Sequence, residues 1–217
     1  MTSVLEAYAG QSWQTRLHVW GRRRSCPFDA VADRVPPAGT VLDIGCGHGL
    51  WSLTLAAASP ERTVLGVDID ADKLLIAAAA AARLGLHNVR FEHVETGWLP
   101  AGEWDAVVLV DVLYLLPADV ALALLKAAAS SVAPGGVVLV KEMDVRPRLK
   151  YEWNRFQELL ATRVLRITEG EVRQFLAPDE MAAELEGGGL ETEEVPLHRR
   201  SLHPHHLVIG RNPKSRQ

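Results

Sequence analysis

The sequence predicts an α/β protein, a three-layer sandwich whose mostly parallel seven-stranded sheet ends in an antiparallel edge hairpin. From Thr40 onward, short apolar runs rich in β-branched residues alternate with longer stretches of helical period. The connections between them are short, which builds a parallel sheet covered on both faces. The last two strand-like runs, Glu191 to Leu197 and His205 to Gly210, are separated only by His198 to Pro204, so they can pair antiparallel at the sheet edge. A chain of 217 residues, 48% hydrophobic and 23% charged, suits one soluble domain.

The chain is organised around Thr40 to Gly49, T-V-L-D-I-G-C-G-H-G. A strand-type run (Val41, Leu42, Ile44) stops at Gly45, Gly47 and Gly49, and a helical pattern (Leu50, Trp51, Leu53, Leu55) begins at once. Glycine reaches φ > 0 without strain and lets a ligand approach bare backbone, while the helix start behind it offers unpaired N–H groups to a negative ligand group. The spacing is G-x-G-x-G, not the dinucleotide G-x-G-x-x-G, and the Gly-Lys-Ser/Thr ending of a phosphate loop is missing. Asp43 places an anion where a pyrophosphate would not favour one, whereas a ligand with an ammonium beside a carboxylate could use the acid and the helix start together.

On these residues the chain resembles the class I, Rossmann-like S-adenosylmethionine-dependent methyltransferases, whose first motif D-x-G-x-G-x-G is matched from Asp43 to Gly49. The resemblance runs to about Met143. It implies S-adenosylmethionine as cofactor and S-adenosylhomocysteine as product, with Asp43, Gly45, Cys46, Gly47 and Gly49 in the cofactor site. The chain then reads as an N-terminal cap segment (1–39), a cofactor-binding core (40–143), a helical insertion or lid that the family framework does not account for (144–177) and a C-terminal helix and hairpin (178–217).

The next strand, Thr63 to Ile69, ends in Asp68; Asp70 then caps an alanine-rich helix from Ala71 to Leu84, closed by Gly85. An acid about twenty residues beyond the glycine turn, at the carboxyl end of the adjacent strand, can accept from both hydroxyls of a ribose. Asp68 is the candidate, and Ile69 would face the adenine ring. After a third strand, Asn88 to Val94, the resemblance assigns adenine recognition to Glu95 and Thr96, with Glu95 standing where aspartate is commoner; a plain surface acid is the alternative.

The fourth strand, Trp104 to Asp111, reads as buried on both faces and therefore central. Its carboxyl end lies beside the cofactor by the rule for open α/β sheets, which makes Asp111 and Tyr114 candidates to face the reacting methyl group. Asp111 could equally cap a loop. A helix from Ala118 to Ala133, a Pro134-Gly135-Gly136 break and a fifth strand, Val137 to Lys141, follow. The family's nucleic-acid amino-methylating members carry an N/D-P-P-Y/F tetrad after strand four, and it is absent here.

Methyl transfer needs alignment and exclusion of water more than acid–base machinery, but a hydroxyl or ammonium acceptor would use a base. Asp111 and Glu142 are the candidates. The expected activity is methyl transfer to O or N of a small molecule, and an anionic acceptor is among the expected substrates. A dinucleotide-dependent oxidoreductase and a non-catalytic S-adenosylmethionine-binding module are the alternatives.

Net charge −4 argues against a nucleic-acid partner. Cys26 and Cys46 have no metal spacing, so a reduced cytoplasmic setting without a disulfide fits. No apolar run approaches the ~20 residues of a membrane span. His203, His205 and His206 lack companion ligands, so no metal is expected. In the N-terminal segment, Tyr8, Trp13 and His18 could cover a substrate mouth, and Arg22, Arg23 and Arg24 form either a solvated loop or an anion contact. A short helix is expected from Pro27 to Arg34. In 144–177, Leu149, Trp153, Phe156, Leu160 and Val164 recur at helical spacing with a basic border, which reads as packed core, a lid over an anionic acceptor lined by Tyr151, Trp153 or Asn154, or a membrane-docking element.

Overall fold

The computed structural model describes residues 3–143, 176–197 and 205–213. The 144–177 helix and His203 therefore lie almost entirely outside the described residues. Seven strands, β1 (Gly39–Ile44), β2 (Arg62–Asp68), β3 (Val89–His93), β4 (Trp104–Val110), β5 (Val132–Met143), β6 (Glu191–Pro196) and β7 (His205–Arg211), form one sheet in the order β3-β2-β1-β4-β5-β7-β6. The first five are parallel and β7 is antiparallel to both neighbours. The order reverses between β1 and β4, so a crevice opens at their carboxyl ends.

Among the described residues the expected helices are present with adjusted ends, and one that the sequence did not predict, Trp13–Ser25, precedes them. After α1 (Trp13–Ser25) and α2 (Phe28–Ala32) come α3 (Leu50–Ala58), α4 (Ala71–Leu84), α5 (Ala118–Ser130) and α6 (Pro178–Gly187). Helix α4 keeps the boundaries read from sequence because both signals are local: the Asp70 carboxylate accepts from the Lys73 N–H at 3.1 Å, and Gly85 closes the helix at φ 66°.

Two local readings are corrected. The fifth strand starts at Val132, and the Pro134-Gly135-Gly136 turn is a bulge inside it: Trp104 pairs with Val132 and Ala106 with Val137. Helix α5 consequently ends at Ser130, with the Ser131 hydroxyl donating back to the Ala128 carbonyl. The arginine run, read as a loop or an anion contact, forms the last turn of α1, where the cations meet the negative end of the helix dipole. Ser12 caps α1 by accepting from the Thr15 N–H.

Two apolar layers cover the sheet. Leu53, Leu55, Val41, Val108 and Leu139 pack on one side with the N-terminal Tyr8, Val19 and Phe28; Leu42, Leu109, Leu125, Val140 and Leu185 pack on the other. This burial fixes the strands, and the strands fix where their carboxyl ends deliver polar side chains.

Candidate active site

The loop between β1 and α3 has positive φ at Gly45 (71°), Gly47 (54°) and Gly49 (74°). The reasons differ. A Cβ on Gly45 would lie 2.5 Å from Val112, and one on Gly49 2.7 Å from Ala77, so these two are small for packing as well as for conformation. Among the described residues a Cβ on Gly47 would meet only Lys73, at 4.0 Å, so its backbone faces open space between them. That is the face a ligand can approach.

Asp68, at the end of β2, accepts from the Gly47 N–H at 2.7 Å and from the Asp70 N–H at 2.9 Å, which stitches the two loops into one wall. Each carboxylate oxygen retains acceptor capacity for further donors. Ile69 beside it is exposed, as are Glu95 and Thr96 on the loop after β3. Asp43 is buried and accepts from the Ser52 hydroxyl of α3. Burial pushes its carboxyl up to about 7, only partly offset by Ser52. The Tyr8 hydroxyl donates to the His48 carbonyl at 2.7 Å, tying the N-terminal segment to the glycine loop.

A second group of charges collects where β4 and β5 end. Asp111, left-handed at φ 57°, is buried between two cations. The Lys141 Nζ donates to Oδ1 at 2.6 Å, and the Arg22 Nη1 of α1 donates to Oδ2 at 2.8 Å. Burial alone would raise the Asp111 carboxyl, but Arg22 and Lys141 outweigh it and hold it below the usual range.

Glu142 is buried next to this group. Its Oε1 accepts from the backbone N–H groups of Val112 (3.0 Å) and Leu113 (2.8 Å), while its Oε2 is buried and, among the described residues, has no hydrogen-bond partner. Burial, reinforced by the Asp111 charge, pushes the Glu142 carboxyl up to about 8. Lys141 and Glu142 are adjacent on β5, and their side chains serve opposite needs: one neutralises Asp111, the other braces the turn after β4.

A family model described as a methyltransferase domain matches residues 20–195. The chain belongs to the methyltransferase-domain family. A ubiquinone biosynthesis O-methyltransferase of Xanthomonas axonopodis pv. citri is 30% identical over 171 residues, covering 77% of this chain and 70% of the relative. An uncharacterized methyltransferase of Mycobacterium tuberculosis is 37% identical over 102 residues, and the match spans 45% of each chain. Among solved structures, the magnesium protoporphyrin IX methyltransferase of Synechocystis PCC 6803, determined with bound S-adenosylhomocysteine, superposes with a TM-score of 0.67 at 19% identity over 95% of this chain and 91% of that one. An O-methyltransferase family protein from Burkholderia thailandensis gives 0.67 at 23% identity over 87% and 56%.

This methyltransferase uses S-adenosylmethionine and releases S-adenosylhomocysteine. The open face at Gly47, the start of α3 and the accepting capacity of Asp68 suit such a ligand. Asp43 sits deeper than the sequence suggests, bonded to Ser52 and not displayed on the loop surface. Cys46 fills space: its sulfur lies where a Cβ on Gly66 would come within 2.9 Å, and burial raises its thiol. Cys26 and Cys46 are both free.

Asp111 and Glu142, chosen from sequence as two candidate bases, are brought to one place and shifted in opposite directions, Asp111 down by its two cations and Glu142 up by burial. Tyr114 is half-buried in a short 3-10 turn, Leu113–Leu115, that Glu142 braces. His205 and His206 open β7, opposite Met143 and Glu142. Sequence reasoning missed Lys141 and the inward role of Arg22. The signal for Lys141 was present: a lysine ending the wholly apolar run Val137 to Val140 is buried by its strand and needs an acid. Arg22 had no such local signal, because its partner is 89 residues away.

Proposed function

We propose that this methyltransferase methylates a hydroxyl oxygen of a small-molecule acceptor, with Glu142 as the general base. The observation that carries the reading is the Glu142 carboxyl itself: buried at the carboxyl end of β5, fixed through Oε1 by two backbone N–H groups, and holding an Oε2 that has no partner among the described residues. A base whose carboxyl sits near 8 matches the pH at which proton abstraction is useful, since catalytic efficiency favours a pKa close to the operating pH. Asp111 is less suited to that task, being held as an anion by Arg22 and Lys141. Its role in this reading is to fix the position of both cations at the site's edge, with Tyr114 at the acceptor side. The O-methyltransferase names of the relatives agree with an oxygen acceptor.

S-adenosylmethionine supplies a methyl group on an electrophilic sulfonium. Gly45, Cys46, Gly47 and Gly49 would meet its amino-acid part with bare backbone, aided by the positive end of α3. Asp43 would be the counter-charge for its ammonium, which would restore ionisation to a carboxyl that burial otherwise raises. Asp68 would accept from the ribose hydroxyls, Ile69 would cover the adenine, and Glu95 with Thr96 would read the adenine amino group. Asp111, next to Val110 at the crevice, completes the wall. The acceptor hydroxyl would give its proton to Glu142 Oε2 as the oxygen attacks.

The test is turnover with methyl-labelled S-adenosylmethionine and a panel of phenols, catechols, carboxylic acids and amines, with products identified by mass spectrometry. A methyl ether is expected. Glu142→Gln should lower kcat by about 10²–10⁴-fold, the usual contribution of a general base, at unchanged cofactor affinity. Full activity of Glu142→Gln, or a methylamine as the only product, refutes the reading.

A further inference from the structure

Helix α1 presents two faces of opposite character. Thr15, Val19 and Arg22, spaced i, i+4, i+7, point inward: Val19 is buried and Arg22 reaches Asp111. Trp13, Leu17, Trp20 and Arg24, on the opposite face at the same spacing, point outward. Trp13 is 69% exposed and Leu17 and Trp20 are each 56% exposed, a concentration of large apolar side chains that one 13-residue helix does not expose without use.

The charges on this helix are uniform. It contains Arg16, Arg22, Arg23 and Arg24 and no acid, in a chain whose net charge is −4. Arg22 is committed to Asp111 and Arg23 is within 3.4 Å of Asp29. Arg16 and Arg24 are exposed and, among the described residues, have no acid within ion-pair distance. Three apolar side chains flanked by two uncompensated guanidinium groups match an anionic lipid surface, where Trp and Leu enter the headgroup boundary while Arg meets the phosphates.

We infer that the outward face of α1 docks this methyltransferase on anionic membrane surfaces. A second copy of the chain is a poor occupant, since a two-fold contact would bring Arg16 and Arg24 of each copy together. The segment 144–175 is also poorly matched, because its sequence holds more Arg and Lys than Asp and Glu. Membrane docking would place the lipid surface one helix diameter, roughly 10 Å, from Asp111. The inference does not depend on the identity of the acceptor or on Glu142.

The test is co-sedimentation of the full chain with vesicles of phosphatidylcholine alone and of an equal mixture of phosphatidylcholine and phosphatidylglycerol. Binding to the mixed vesicles, at least about tenfold tighter than to the neutral ones and weakened by high salt, is expected. Leu17→Ser should lower it by about tenfold, and Arg16→Ala or Arg24→Ala by about fivefold each. All are surface substitutions, and unchanged S-adenosylmethionine affinity will show that the variants are folded. Equal binding to both vesicle types, or binding that Leu17→Ser retains, overturns the inference. So does a concentration-dependent dimer that Leu17→Ser abolishes, which would assign the face to a second copy. Protection of Trp13 and Trp20 from acrylamide quenching without lipid would assign it to the chain itself.

Discussion

Glu142→Gln provides a test of the buried carboxyl by stability alone, separate from turnover. With its carboxyl at about 8 in the folded protein and an ordinary value of 4.5, the folded state keeps a proton that the unfolded state has released between those two values. The sign follows: a raised folded pKa gives a contribution fully present below about pH 4.5 and lost as pH rises through about 8. The slope is about 1.4 kcal/mol per pH unit where only the unfolded state has ionised. Between pH 6 and pH 8, allowing for the flattening near 8, this group should remove about 2 kcal/mol of stability. Glutamine keeps the Oε1 that accepts from Val112 and Leu113 but does not titrate. The assay is urea denaturation of both proteins at pH 6, 7 and 8, with equal m-values required for comparison. Glutamine carries its own penalty, an amide NH₂ where Oε2 has no partner, and that penalty is the same at each pH. The stability difference between the two proteins should therefore shift toward the variant by about 2 kcal/mol from pH 6 to pH 8. A difference constant with pH would mean that Glu142 is ionised throughout, and the physical basis for its poised proton would be gone.

Other expectations address the rest of the site. Lys141→Met leaves Asp111 buried with Arg22 alone and should destabilise the fold by about 3–5 kcal/mol, the cost of breaking a buried ion pair, read by the same denaturation. Adding Asp111→Asn, which suits the left-handed backbone there, should recover part of that loss. Gly47→Val puts a branched side chain at φ 54° into the open face of the loop and should abolish calorimetric binding of S-adenosylmethionine; Asp68→Ala should weaken it by about 1–3 kcal/mol. Glu95→Gln should relax discrimination against an inosine analogue of the cofactor, and equal rejection by both proteins would leave Glu95 a surface acid.

Helix α4 and the glycine loop were legible from sequence because their causes are local. Asp70 caps within three residues, Gly85 ends the helix by its own conformation, and the run Val41 to Ile44 stopping at three glycines needs no distant contact to be read. The edge hairpin was legible too, from the short separation of two strand-like runs. The helix α1 was not. Its outward Trp13, Leu17 and Trp20 break the rule that the apolar stripe faces the core, and its inward face is short and partly charged. The bulge at Pro134-Gly135-Gly136 escaped for a similar reason: a turn signal inside a strand looks the same in sequence as a turn between elements, and only the pairing with β4 separates them.

What the sequence by itself determined is the alternation of elements, the glycine cradle, and the set of acids delivered to strand ends: Asp43, Asp68, Asp111 and Glu142. It could not assign them roles, because a carboxyl's charge state depends on burial and on neighbours distant in sequence. Only the tertiary structure brought Arg22 across 89 residues to Asp111, buried Lys141 against the same carboxylate, and left Glu142 with one oxygen braced and the other unpartnered among the described residues. Two acids at the ends of adjacent strands thereby became a fixed anion and a carboxyl poised near 8, a distinction made by desolvation and long-range charge that sequence patterning does not carry.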